Sequence, residues 1–358
     1  LGLGLIAFVA MSRVPISWIY RHSGKILAIG FVICAILAVL GFAKIPPAKC
    51  ELGACRWFKF GSVSVQPSEF LKVGVLIALA VFLGSKAREG KINDFRETIL
   101  PSGLLVGLML VFIAGFQKDL GTAISALAIV AFQFFMAGLN RKNVIAASLI
   151  GLVAIVGMIL IAPHRMARVM TFAGNENCSN LSSSEQKDEY HICHAKIAIG
   201  SGGLLGVGIG NSVQATGYLP EAINDSVFAI LGETFGFIGL IIILAIFLAL
   251  SMRILKVSAH LKNPASRVLA AGVCGWFVFH TVMNVAAMTG LLPLTGITMP
   301  LLSYGGTSIL FISGVLGLIF NISAYTSFRQ VDDFKEENED SRSRGRLGRT
   351  RYASRRSF

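Results

Sequence analysis

The charged side chains of this sequence that can act on a polar substrate fall at the ends of apolar runs. Glu69 and Lys72 open one such run three residues apart, on one face of a helix, where they can pair. Lys118 and Asp119 occupy the turn Gln117-Lys118-Asp119-Leu120-Gly121, and Arg165 and Arg168 follow Pro163 at the exit of another run. Asp225 directly precedes the run that starts at 226, with Glu221 four residues upstream. A carboxylate beside fixed cations suits two tasks: taking a proton from a hydroxyl and stabilising charge that grows on a leaving group. Arginine binds phosphate bidentately and never loses its charge. Each residue also has a structural reading. Glu69 and Lys72 can neutralise each other inside a membrane, Asp119 and Asp225 can cap the helices they precede, and Arg165 and Arg168 can snorkel at an interface. Position alone leaves both readings open.

The elements that must position these residues are membrane spans. Of 358 residues, 54% are hydrophobic and only 14% charged, whereas roughly a quarter are charged in a soluble globule. A helix needs about 20 apolar residues to cross a bilayer, and runs near that length recur at 26–43, 68–84, 100–116, 122–139, 144–162, 226–252, 267–289 and 306–325. The expectation is an all-α, polytopic integral membrane protein with eight full spans. Leu1–Met11 is apolar but too short to cross; it reads as the end of a further span, and no basic leader marks it as a secretory signal. The net charge of +13 does not point to nucleic acid, because the basic residues are scattered between apolar runs or gathered in a tail.

Lysine and arginine in short loops set orientation. Arg13, Arg21 and Lys25; Lys86, Arg88, Lys91 and Arg96; Arg141 and Lys142; and Arg253, Lys256, Lys262 and Arg267 fall on one side by crossing parity, together with the C-terminus. That side is expected to be cytoplasmic. The outer face then carries 44–67, 117–121, a long segment 163–225, and 290–305. The chain divides into a membrane domain, 1–325, and a tail, 326–358, whose acidic cluster precedes seven arginines between Arg342 and Arg356. Such a tail cannot bury enough apolar surface to fold; its basic half either anchors the inner face or rests on anionic headgroups, at about 1 kcal/mol per charge.

Cys34 and Cys274 fall inside spans, where the side chain packs. Cys50 and Cys55 share one outer loop and Cys178 and Cys193 another, a placement that suggests two disulfides. For the second pair a zinc site and free thiols compete, since His191 and His194 flank Cys193, although the spacing matches no closed zinc pattern. The glycines between Gly200 and Gly210 fit neither nucleotide-loop spacing; they read as flexible backbone lining a cavity at the outer interface. His280 and Asn284, four apart on a span, read as interhelical hydrogen bonds.

Five stretches, in order, carry a resemblance: Arg56-Trp57 with Val65-Gln66-Pro67-Ser68-Glu69-Phe70-Leu71-Lys72; Asp119-Leu120-Gly121-Thr122-Ala123; Ile197-Ala198-Ile199-Gly200-Ser201-Gly202-Gly203; Gly217-Tyr218-Leu219-Pro220-Glu221-Ala222; and Thr289-Gly290 through Pro293 and Gly296 to Ser303-Tyr304-Gly305-Gly306-Thr307-Ser308. As a set they resemble the SEDS family of peptidoglycan glycosyltransferases over nearly all of 1–325. The resemblance implies ten transmembrane helices in a full-length member and polymerisation of lipid II. It implies Asp225 as the catalytic aspartate, with substrate contacts from Arg56, Lys72, Glu69, Asp119, Arg165, Arg168, Glu221 and Ser303. It also implies lipid II, membrane lipid, a class B penicillin-binding protein transpeptidase and divisome membrane proteins as partners, and a multi-pass place in a bacterial cell membrane, at the septum. Tyr218 and the Thr289-Gly290 pair resemble the division member more than the elongation member. No cofactor is implied with certainty and a divalent cation stays open. The sequence departs from the family where Ile223-Asn224-Asp225-Ser226 replaces a His-Thr-Asp-Phe run and where Lys118 replaces a proline. Two rival functions remain at this stage, a lipid II transporter and a non-catalytic scaffold for the transpeptidase.

Overall fold

The computed structural model describes residues 2–51, 54–61, 63–161, 166, 170, 172 and 187–326. Arg165, Arg168, Cys178 and the tail from 327 lie outside the described residues. Helices dominate: α1 Gly2–Arg13, α2 Ile16–Arg21, α3 Ser23–Phe42, α4 Pro67–Arg88, α5 Leu100–Leu110, α6 Leu120–Ala137, α7 Arg141–Ile161, α8 Lys187–Ser201, α9 Val227–His260, α10 Pro264–Met288 and α11 Gly306–Ser323. Wider turns at Phe95–Ile99 and Val111–Phe116 extend α5 at both ends. Among the described residues eight helical stretches are long and apolar enough to cross a membrane, and they fall on the eight expected runs.

Local chemistry sets their ends. Pro67 and Pro264 begin α4 and α10, where a missing N–H costs nothing. Asn263 accepts the Ala265 N–H at the start of α10, and Gly138 ends α6 in the left-handed conformation. The bundle is built around α10, which packs against α4, α6 and α9 and has 72% of its apolar window buried. By contrast α7 has none of its window buried and packs on α6, leaving its apolar side chains for lipid. The short α1 lies along α11, and Asn321 donates to the Val14 carbonyl beside it.

Two features depart from the expected architecture. The segment 44–67 holds a three-stranded antiparallel sheet, β1 Ala48–Glu51, β2 Ala54–Phe60 and β3 Val63–Val65, in the order β1-β2-β3. Cys50 pairs with Cys55 across β1 and β2 and is disulfide-bonded to it; the sulfur of Cys55 lies against Gly41 at the end of α3. The second departure is that the expected span 226–252 is broken. Gly236 (φ 68°, ψ −170°) divides α9 into a short N-terminal piece and a long piece that runs on to His260.

The break accounts for two of the glycines at 200–210: Gly202 and Gly206 pack against the main chain of Gly232 and Thr234. Val207 and Gly208 donate to the carbonyls of Glu233 and Thr234, and Phe237 and Ile238 donate to those of Gly203 and Leu204. The peptide groups freed by the break are thereby paired. A Cβ on Gly206 would lie 2.2 Å from the Thr234 carbonyl oxygen, and one on Gly236 would lie 2.3 Å from the Gly206 nitrogen.

Candidate active site

Asp225 is partly exposed and sits one residue before Ser226, which takes the N-cap position of α9. The segment leading to it is tightly folded. Glu221 adopts the left-handed region (φ 50°), its carbonyl accepts from the N–H groups of Asn224 and Ser226, and its carboxylate accepts from the Asn224 amide. Ser226 is fully buried, donates its hydroxyl to the Pro220 carbonyl and is hydrogen-bonded to His191 Nε2 on α8.

A second segment, 290–305, closes against the first. The Tyr304 N–H donates to the Ile223 carbonyl at 2.7 Å. Asn284, near the end of α10, donates through Nδ2 to the Asp225 carbonyl at 2.6 Å and to the Ile297 carbonyl at 2.8 Å. Gly296 has φ 69°, and a Cβ there would lie 3.8 Å from Asp225 Oδ2, so the bare side of this glycine faces the carboxylate. One turn below Asn284, His280 is 3.2 Å from the Thr298 carbonyl through Nδ1. Trp276 donates to His280 Nε2 at 3.0 Å, which leaves Nδ1 as the protonated nitrogen that donates to Thr298. His280 and Asn284 therefore bond carbonyls of Asp225, Ile297 and Thr298, outside the helices, where the sequence suggested bonds between helices.

The remaining expected residues are placed as follows. Lys72 is enclosed: its ammonium lies 2.8 Å from Glu69 Oε1 and 4.5 Å from the centroid of the Trp276 ring, and its side chain is 0% exposed. Neither member of this pair faces solvent, so a direct contact with a substrate phosphate is not available to Lys72 in this arrangement. Asp119 caps α6 through the Thr122 N–H and hydroxyl and accepts from Gln66 Nε2 at 2.8 Å. Its carboxylate ties the entry of α4 to the entry of α6 and is not open to substrate. Arg56, on β2, donates Nε to the Gln117 carbonyl and Nη2 to the Lys118 carbonyl, at 3.2 and 2.8 Å. It fastens the hairpin to the turn while staying partly exposed, and Lys118 sits in that turn with φ 52°. Ser303 is buried and accepts the Met299 N–H, which makes it a brace of the 290–305 segment. Thus Asp225 and Glu221 share one folded segment, against which 290–305, the segment of Ser303, closes; Glu69, Lys72, Asp119 and Arg56 are engaged elsewhere in the bundle.

Three contributors go beyond the residues expected from sequence. Glu233, 2% exposed, accepts from the Ser212 hydroxyl and the N–H groups of Val213 and Gln214, and so pins the end of the glycine segment to α9. Its signal was available: it is the single carboxylate in the run 226–252. Lys196 on α8 packs its terminal carbon and nitrogen over Gly290, and Trp276 covers Lys72; sequence spacing carries no sign of either. Cys193 is buried and disulfide-bonded, and His194 Nδ1 donates to Gln214 Oε1 at 2.8 Å. Among the described residues no three His, Cys, Asp or Glu side chains cluster as metal ligands.

Relatives share this chain over most of its length. It is 33% identical to the stage V sporulation protein E of Bacillus subtilis over 329 residues, covering 91% of this chain and 86% of that protein. It is 31% identical to the probable peptidoglycan glycosyltransferase FtsW of Escherichia coli O6:H1 over 335 residues, covering 93% and 77%. Among solved structures, the fold is similar to the rod shape determining protein RodA of Thermus thermophilus, with a TM-score of 0.64 at 22% identity over 91% of this chain and 85% of that one. It is also similar to a chain solved in work on the structural coordination of polymerization and crosslinking by a peptidoglycan synthase complex, with a TM-score of 0.70 at 23% identity over 91% and 88%. The family model of cell cycle proteins that unites FtsW, RodA and SpoVE matches residues 1–328, and the chain, a multi-pass membrane protein, belongs to that family.

Proposed function

We propose that the protein is an inverting glycosyltransferase that polymerises lipid II into glycan strands at the outer face of a bacterial cell membrane, with its C-terminus in the cytoplasm. A sugar hydroxyl of one lipid II attacks the anomeric carbon of a lipid-linked glycan. The new oxygen–carbon bond forms as the bond to pyrophosphate breaks, the pyrophosphate leaves with the electron pair, and the proton of the attacking hydroxyl passes to Asp225. A base must lie within about 2.6–3.2 Å of that hydroxyl to serve. Arg165 and Arg168 are proposed to meet the negative charge of the leaving group, with the uncommitted N–H groups of Arg56 beside the 117–118 turn. Lys72 acts on the site through the bundle, since it is enclosed.

The observation that carries this reading is the setting of Asp225: a partly exposed residue whose carbonyl is bonded by Asn284, which also bonds the 290–305 segment, and whose carboxylate has Oδ1 buried and Oδ2 facing Gly296. The names of the FtsW relatives support the reaction class. Lipid tails account for a site at a membrane surface, since placing them in water costs about 0.8 kcal/mol per CH₂. A septal role is supported by the stretch at Tyr218 and the Thr289-Gly290 pair, and a class B penicillin-binding protein as partner by the likeness to a chain of a synthase complex. The deciding assay is lipid II polymerisation by purified Asp225→Asn beside wild type. The nearly isosteric variant is expected to fold normally and to make no polymer; wild-type yield from it would remove Asp225 from the reaction, and lipid scrambling without polymer by the wild type would favour a transporter.

A further inference from the structure

We infer that Asn284 is a positioning residue for Asp225, an amide that sets the geometry of the proposed base without touching substrate. The inference rests on reading Asp225 as that base. Asn284 is 1% exposed, and both N–H bonds of its side chain are used, one on the Asp225 carbonyl and one on the Ile297 carbonyl. A single NH₂ group thus links the backbone under the carboxylate to the segment whose Gly296, one residue before Ile297, faces Asp225 Oδ2. The two bonds fix the main chain of Asp225 relative to the 290–305 segment, and with it the direction in which the carboxylate leaves the backbone.

The anchor of this clamp is rigid. Asn284 and His280 are four residues apart on α10, on one helix face, and they bond the carbonyls of consecutive residues, Ile297 and Thr298. His280 is held in turn by the Trp276 indole, and Trp276 lies under the enclosed Lys72. The 290–305 segment is therefore referenced to the most buried helix of the bundle, and Asp225 is referenced to that segment. The bonding of Asn284 is also one-sided: its Oδ1 is buried with no hydrogen-bond partner among the described residues. A carboxamide serving as glue between helices would bond a neighbouring helix. Here both acceptors lie in the outer segments, and a buried oxygen is left unsatisfied to serve them. No aliphatic, hydroxyl or carboxylate side chain offers two donors to two carbonyls.

Displacing a catalytic group by about 1 Å costs on the order of 100-fold in rate, and the effect falls on turnover if substrate contacts lie elsewhere. The test is steady-state polymerisation of labelled lipid II by the purified full chain, with kcat and KM measured for Asn284→Ala, Asn284→Ser and Asn284→Asp beside wild type and Asp225→Asn, and thermal unfolding followed for each. The expected result is kcat lower by about 100-fold in Asn284→Ala, with KM within about twofold. Asn284→Asp, nearly isosteric but without N–H groups, falls at least as far, and Asn284→Ser regains about tenfold through its one donor. If Asn284→Ala does not fold, the comparison of Ser with Asp carries the test. A kcat within about threefold of wild type in Asn284→Ala or Asn284→Asp, a loss borne mainly by KM, or a serine variant no better than aspartate or alanine overturns the positioning role. Activity in Asp225→Asn instead overturns the assignment of the base, so the two failures are told apart.

Discussion

The ammonium of Lys72 lies 4.5 Å from the centre of the Trp276 ring and 2.8 Å from Glu69 Oε1, and the whole group is closed to solvent. Removing one partner of a buried ion pair leaves the other charge uncompensated, at about 3–5 kcal/mol, whereas replacing both by residues of similar volume is often neutral. Lys72→Met is therefore expected to destabilise the folded protein by that amount, and Glu69→Gln with Lys72→Met to recover most of it. Denaturant unfolding in detergent measures the difference; equal losses in the single and double variants would contradict a compensated pair.

The contact between the glycine segment and the broken helix gives a sharper contrast. Alanine at Gly206 or Gly236 places a methyl group within 2.2–2.3 Å of main-chain atoms and demands a positive φ as well. Both variants are expected to lose the folded state at working temperature. Gly200, in α8, has nothing within 4 Å of its Cβ position, and alanine there is expected to be neutral or to stabilise by up to about 1 kcal/mol. Thermal melts of the three variants side by side decide the matter.

Arg56 spans two carbonyls of consecutive residues, Gln117 and Lys118. Charge-assisted hydrogen bonds contribute about 1.5–3 kcal/mol, reduced here by partial exposure. Arg56→Ala is expected to lower stability by about 1–2 kcal/mol, and Arg56→Lys to restore less than half, because an ammonium lacks the planar fork that reaches both acceptors. Full recovery with lysine would show that charge alone is at work.

The Cys50–Cys55 bridge closes a short loop, for which loop-closure entropy gives about 2 kcal/mol. The paired change Cys50→Ser, Cys55→Ser is expected to cost about that much and to make the hairpin the first site of proteolysis. Cys34 and Cys274, both 0% exposed, should resist thiol reagents until the protein unfolds; modification under native conditions would refute their burial.

The spans were legible because a run of about 20 apolar residues is a statement about solvent, and their starts were marked by Pro67 and by Asn263 with Pro264. The break at Gly236 was hidden by the same property, since an interruption inside an apolar run leaves composition unchanged. The glycines near 200 were visible, yet their purpose depends on a backbone some 30 residues further along the chain. The hairpin at 48–65 is a few short strands with no long alternation, and its register depends on one disulfide and the end of α3. At the site, Asp225 was singled out from sequence. The ties that hold its segment, from Asn284 to Asp225 and from Tyr304 to Ile223, come from parts of the chain whose meeting no spacing encodes.

Main-chain bonds form the joint between residues 203–208 and the break in α9, with Glu233 pinning its far end, and peptide groups are the same in every protein. Substitutions that alter surface chemistry on either side leave that seam intact as long as the few bare positions stay bare. Drift in the outer region can thus retune what the protein recognises without loosening the frame on which recognition is mounted.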